Sequence, residues 1–291
     1  MYEEEFLGYR GSAHYGYDNV TLGLNGAGLP TLQHQVIAGF GTKGFYLGIL
    51  GISPLPLNFT TLDDPQLSLL GTSENEAKIP SHSWGYTAGA YYREPKVFGS
   101  LTLGGYDLTR FVANDVTVAL GADQSRDLLI GIQSITLDTP GSPPLLSTGI
   151  YSFINSMVSH IWLPVEVCQA FERAFNLTWS DIAEMYLVDH ATHAAFVAQN
   201  PTITFKLGQS STGGSSVDIV MLYKAFDLAT TALDFNGSIP SGTRYFPLKR
   251  AQNSTQYTLG RTFLQEAYVI ADYERGNFSV SQALFPATSV A

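Results

Sequence analysis

Tyr257-Thr258-Leu259-Gly260-Arg261-Thr262-Phe263-Leu264 carries β-forming residues into a glycine and then into a short helical pattern. Much earlier in the chain, Ile49-Leu50-Gly51-Ile52 repeats the first half of that arrangement. Read alone, each is a strand ending in a turn, where glycine lets a second backbone come close. Read together, they stand in equivalent places of two half-chains. The residues between them have the same texture: short β-branched and aromatic runs cut by Gly, Pro, Asn and Asp. Strands are expected at 19–24, 45–52, 100–103, 116–120, 128–137, 202–207 and 267–273. Helical patterns are few. Residues 164–175 put Val165, Val167, Cys168, Phe171, Ala174 and Phe175 largely on one face, with Pro164 at the start, where a missing N–H is harmless. Shorter helices are expected at 62–71 and 263–266, and a Ser/Gly/Thr-rich loop at 210–216. The fold class is therefore all-β with small helices.

Composition narrows the function. In 291 residues, 45% are hydrophobic, so disorder is not the default reading. Only 14% are charged, and 15 Lys+Arg stand against 25 Asp+Glu, a formal net charge of -10. Such a surface repels phosphate backbones, which argues against a nucleic-acid partner. No apolar run reaches the length of a membrane span. The N-terminus shows no basic and apolar signal-peptide pattern. Against that stand six glycosylation sequons, at Asn19, Asn58, Asn176, Asn236, Asn253 and Asn277, which favour a secretory route.

Several chemical motifs fall away on inspection. Gly39-Phe40-Gly41-Thr42-Lys43-Gly44 has the letters of a dinucleotide fingerprint, but a strand-like run follows it where a helix N-terminus is needed. His190 and His193 have the spacing of one helix face but lack a third ligand, so they read as solvated surface histidines and no metal is expected. There is no G-x-S-x-G elbow. Cys168, the single cysteine, lies on an apolar helix face and reads as a structural thiol. No cofactor is implied.

Taken in order, the motifs resemble the pepsin-like aspartic proteases, in particular the fungal branch. Gly8-Tyr9-Arg10-Gly11 looks like the flap hairpin, with Tyr9 as its tyrosine over bound peptide. Gly48 to Ile52 looks like the first-lobe strand, and Gly99 to Asp107, with its Gly104-Gly105-Tyr106-Asp107, like the hairpin that closes that lobe. Residues 257–264 look like the matching second-lobe strand and helix, and 267–282 like the terminal hairpin. The resemblance implies a bilobal fold of two β-barrel lobes, here residues 1–112 as a partial first lobe starting at the flap and 113–291 as the second. It implies a monomeric endopeptidase acting on extended peptide in the cleft between lobes, secreted or in the cell wall or vacuole.

The family mechanism uses two facing carboxylates that share one proton. One draws a proton from the attacking water and the other supports the oxyanion. This chain departs from that pattern twice. The first aspartate motif lies ahead of the flap, and no Asp-Thr/Ser-Gly stands upstream of Tyr9. At the second, Phe153-Ile154-Asn155-Ser156 puts Asn155 in the aspartate slot and Ser156 in the hydroxyl slot. Asp138-Thr139-Pro140-Gly141 is a competing match, but proline replaces the turn glycine there. Relatives often carry a second-lobe disulfide, and Cys168 resembles one half of it with no second cysteine to pair. The expectation is a catalytically inactive family member or fragment, or else a pseudoprotease that binds extended peptides without cleaving them.

Overall fold

The computed structural model describes residues 12–23, 28–41, 48–56, 58, 63–231 and 239–285. The chain divides into two compact units. One contains Met1–Trp84, Thr102–Tyr106 and Asp272–Arg275, and the larger one Gly85–Leu101, Asp107–Ala271 and Gly276–Ala291.

In the first unit, β1 (Ala13–Thr21) and β2 (Thr31–Phe40) form an antiparallel ribbon from Ala13↔Phe40 to Thr21↔Thr31, with a register shift between Asp18 and Val20. The helix α1 (Leu69–Asn75) follows. It starts later than the sequence pattern suggests, and Ser68 caps it: its Oγ accepts from the Gly71 N–H at 3.0 Å. Buried Gln35 on β2 donates through Nε2 to Thr72 Oγ1 at 3.1 Å, tying ribbon to helix. Residues 48–54 have no regular structure, so the strand expected over 45–52 is not found in its described part.

The remaining strands are β3 (Ser83–Thr87), β4 (Ser100–Leu103), β5 (Val118–Ala119), β6 (Leu129–Leu137), β7 (Ile150–Ile154) and β8 (Ile161–Leu163). After α2 (Val165–Phe175) come β9 (Thr178–Ser180) and β10 (Met185–Leu187), then α3 (His190–Gln199), β11 (Thr202–Gly208) and β12 (Ser216–Leu222). The chain closes with β13 (Leu228–Ala229), β14 (Arg244–Phe246), β15 (Leu248–Arg250), β16 (Thr258–Leu259), α4 (Arg261–Leu264), β17 (Ala267–Asp272) and β18 (Asn277–Gln282). The sheet orders are β4-β3-β17-β18-β5, β13-β14-β10-β9 and, the largest, β12-β11-β6-β7-β16-β8-β15. The all-β class is as expected. Among the described residues each order is linear, so these are open sheets rather than closed barrels.

Two apolar groups hold the larger unit. On the largest sheet, Phe205 pairs with Ile135 on one side and Ile219 on the other, and all three side chains are fully buried. The second group gathers on α2, whose buried Val167, Cys168, Phe171 and Phe175 follow the 3.6-residue period. Phe175 lies 5.1 Å from Phe196 and 5.2 Å from Phe246, and Phe226 stacks on Phe246 at 4.7 Å. Such ring pairs each add about 0.5–1.5 kcal/mol beyond the area they bury. Cys168 is wholly buried and burial pushes its thiol up to about 12, which keeps it an inert packing group.

Candidate functional site

The largest sheet contains a crossing at which the two motif segments of the second half-chain meet. β7 leads into a turn at Asn155, and β8 resumes at Ile161. The short strand β16 enters between them. Thr258 and Leu259 pair in parallel with Phe153 and Ile154 of β7, and antiparallel with Trp162 and Ile161 of β8. The chain leaving β16 must then pass under the carbonyls of the turn. An added Cβ at Gly260 would lie 2.2 Å from the His160 carbonyl oxygen and 2.7 Å from that of Val158. Glycine is needed here for space alone, since its φ of -84° suits any residue.

Backbone and side-chain bonds fix the turn on both flanks. The Asn155 N–H donates to the Leu259 carbonyl at 3.1 Å, and the Arg261 N–H to that of Val158 at 2.8 Å. Thr262 gives its N–H and its hydroxyl to the Ser159 carbonyl, at 3.0 and 2.7 Å. The Arg261 guanidinium reaches the Ser156 and Met157 carbonyls at 2.7 and 2.8 Å. These are charge-assisted but exposed bonds, so Arg261→Met is expected to lower stability by about 1–2 kcal/mol. Urea denaturation checks it, and an unchanged midpoint would show that water replaces the guanidinium at no loss.

Asn155 sits at the tip of β7 with 8% of its surface exposed. Its Oδ1 accepts from the Met157 N–H at 2.8 Å, a local turn bond that asparagine and aspartate both favour. Ser156 beside it is exposed. The residues from Asn155 to Trp162 include no carboxylate. The titratable group among them is His160. Its Nδ1 lies 3.0 Å from Ser159 Oγ, and its Nε2 is sealed from solvent with no partner among the described residues. Burial, with the Lys249 and Arg261 charges, pushes the imidazole down to about 3. It is therefore neutral in weak acid. An amide neither gives nor takes a proton at ordinary pH. Nothing in this turn can hold a shared acid proton.

The other sequence candidates are placed elsewhere. Asp138 is exposed just past β6, its N–H on the Thr202 carbonyl and its Oδ2 3.3 Å from Thr202 Oγ1. Tyr9 and Asn236 lie outside the described residues. Asn19, Asn58, Asn176 and Asn253 are exposed, and Asn277 is half-buried in β18. The histidines need a correction. Both lie on α3, where Asp189 caps the helix, but His193 is not a solvated surface group: its Nε2 is 3.0 Å from Asp227, which Arg244 also reaches at 3.3 Å. The pairing is with a residue beyond the helix, so spacing alone could not reveal it. Among the described residues no group of three or more His, Cys, Asp or Glu could hold a metal.

One buried acid had no signal in the sequence. Glu266, just past α4, is 1% exposed. It takes Arg93 Nη2 at 2.9 and 3.2 Å and Gln282 Nε2 at 3.2 Å. Burial pushes its carboxyl up to about 8. The Arg93 guanidinium opposes that, but it is itself partly solvated, and the desolvation of Glu266 prevails.

The fold compares with that of a fungal enzyme. The crystal structure of the aspartic proteinase from Irpex lacteus superposes with a TM-score of 0.67, covering 93% of this chain and 77% of that chain at 16% identity. At that identity the likeness speaks for a pepsin-like fold alone. The family model for eukaryotic aspartyl proteases matches residues 48–284. The chain belongs to the eukaryotic aspartyl protease family. A comparison with curated proteins gave no match. Family membership makes peptides the substrate class. Among the described residues no helix is long and apolar enough to cross a membrane.

Proposed function

We propose that this chain is a family member that does not cut peptide bonds, with Asn155 standing in the second aspartate position and Ser156 in the hydroxyl position after it. One observation carries the reading. The turn into which β16 threads has an amide at its buried tip, and the adjoining imidazole stays neutral in acid. A proton-sharing pair of carboxylates cannot be assembled around that residue, whatever faces it. A single general acid–base group contributes about 10²–10⁴-fold, so its loss alone lowers turnover by about that factor.

What remains is recognition. A peptidase scaffold that has lost its chemistry keeps backbone donors and acceptors for an extended peptide, and we assign that role here. Tyr9 as the flap residue, the halves 1–112 and 113–291, and a monomeric state without metal or cofactor belong to the same reading. Four exposed sequons support a glycosylated protein that travels a secretory route, to the outside, the wall or the vacuole.

The test is a cleavage assay from pH 3 to 6 with a denatured protein substrate, beside binding of a statine-type peptide inhibitor. The expected outcome is binding with no cleavage. Acid-pH turnover that the inhibitor abolishes would overturn the proposal, and the absence of both activities would remove its recognition half.

A further inference from the structure

A cavity of about 700 Å³ opens among Tyr92, Arg93, Lys96, Phe98, Arg110 and Lys224, all in the larger unit. That volume lies within the roughly 300–1,000 Å³ typical of small-molecule sites. The wall holds four Lys or Arg side chains and one acid, Glu94, in a chain whose formal net charge is -10. Cations concentrated in one hollow of an acidic protein focus a positive potential there.

Part of this charge is already engaged. Arg93 is held by Glu266, Arg110 Nε lies 3.6 Å from Asp107, and Lys96 donates to the Tyr91 hydroxyl at 2.5 Å. Lys224 has no acidic partner among the described residues. Its backbone N–H is held by Asn200 Oδ1 at 3.2 Å, which fixes where its side chain begins. Two more donors lack acceptors. The Tyr92 hydroxyl and the Arg93 Nε–H are sealed from solvent and find no partner among the described residues. Buried donors left unpaired are uncommon, and these two lie behind the cavity wall rather than on it. The apolar lining is equally plain. Phe98 is 77% exposed, and Phe285 lies under the Arg93 guanidinium at 3.8 Å.

We propose that this cavity binds a small organic carboxylate. Its anionic end meets Lys224 and Arg110, and its apolar body rests on Phe98 and Phe285. Glu94 in the wall disfavours a second negative charge. A monocarboxylate therefore fits better than a phosphate dianion.

Calorimetric titration of the full chain at pH 7.5 tests this with N-acetylphenylalanine, its amide, benzoate and inorganic phosphate, which is then mostly the dianion. Both acids are expected to bind, with the amide of N-acetylphenylalanine at least tenfold weaker than the acid. Tighter binding of N-acetylphenylalanine identifies a peptide C-terminus as the source, and tighter benzoate a free acid. Lys224→Gln and Arg110→Gln should each weaken the acids about tenfold at an unchanged melting temperature. Equal affinity for acid and amide, preference for phosphate, or no binding of either acid would overturn the proposal. Those three results are read on the unmodified chain, so they hold even if a variant folds poorly.

Discussion

Alanine at position 260 is expected to destabilise the larger unit by at least about 3 kcal/mol, the upper end of overpacking penalties. The atom that blocks the new methyl is a backbone oxygen, at 2.2 Å, with a second carbonyl at 2.7 Å. No rotamer change relieves such an overlap. Either β16 retreats or the turn from Asn155 to His160 opens. Retreat strains the bonds from Asn155 to Leu259, from Arg261 to Val158 and from Thr262 to Ser159 together. Gly51 provides the control. It occupies the same place in the earlier Ile-Leu-Gly motif, yet an added Cβ there meets nothing within 4 Å among the described residues. Gly51→Ala should therefore stay within about 0.5 kcal/mol of the original chain. Urea denaturation followed by circular dichroism reads both. Equal midpoints for the two variants would show that β16 is not threaded under those carbonyls.

That contrast also shows what the sequence could and could not tell. Two glycines looked equivalent because each follows two β-forming residues. Only one lies against another backbone. A short apolar run becomes a strand when a partner strand supplies its hydrogen bonds, and residues 48–54 find none among the described residues. Runs with a strong period of their own were legible to within a residue or so: β6, β11, β17 and α2 begin and end close to where the pattern places them. The helix α3 was not legible as an element. Its apolar residues do not gather on one face and none is buried, so no 3.6-residue stripe marks it. At the candidate site, Asn155 could be singled out through the family resemblance. The guanidinium of Arg261 on the turn 104 and 105 residues earlier, the sealed Nε2 of His160 and the buried Glu266 could not. Each is a product of contacts between distant segments, which local pattern does not encode.

Stability is expected to form a plateau between about pH 4.5 and 6.5 and to fall on both sides. Two groups with opposite shifts set its limits. Glu266 ionises near 4.5 when unfolded and near 8 when folded. Between those values the folded chain holds a proton that the unfolded chain has released, so stability declines as pH rises through that window. His160 is charged below about 6.5 when unfolded but stays neutral to about 3 when folded. There the unfolded chain binds the extra proton, so stability declines as pH falls from 6.5 toward 3. From 4.5 to 6.5 the two slopes oppose and nearly cancel. Above 6.5 only Glu266 acts, and below 4.5 only His160, each at up to about 1.4 kcal/mol per pH unit. Moving from pH 6.5 to 8, or from 4.5 to 3, should therefore remove on the order of 2 kcal/mol. Exposed Asp107, Asp123 and Asp189, held below the usual carboxylate range by hydrogen bonds from Thr109, Ser125 and Thr192, steepen the acid limb further. Glu266→Gln mimics the protonated acid, so it should match the original chain at pH 5 and surpass it at pH 8. His160→Gln should flatten the acid limb and leave the alkaline one in place. Urea midpoints at pH 3, 5, 6.5 and 8 decide the matter, and a rise from pH 4.5 to 6.5 followed by a level stretch to pH 8 would mean that the Arg93 guanidinium, rather than burial, governs Glu266.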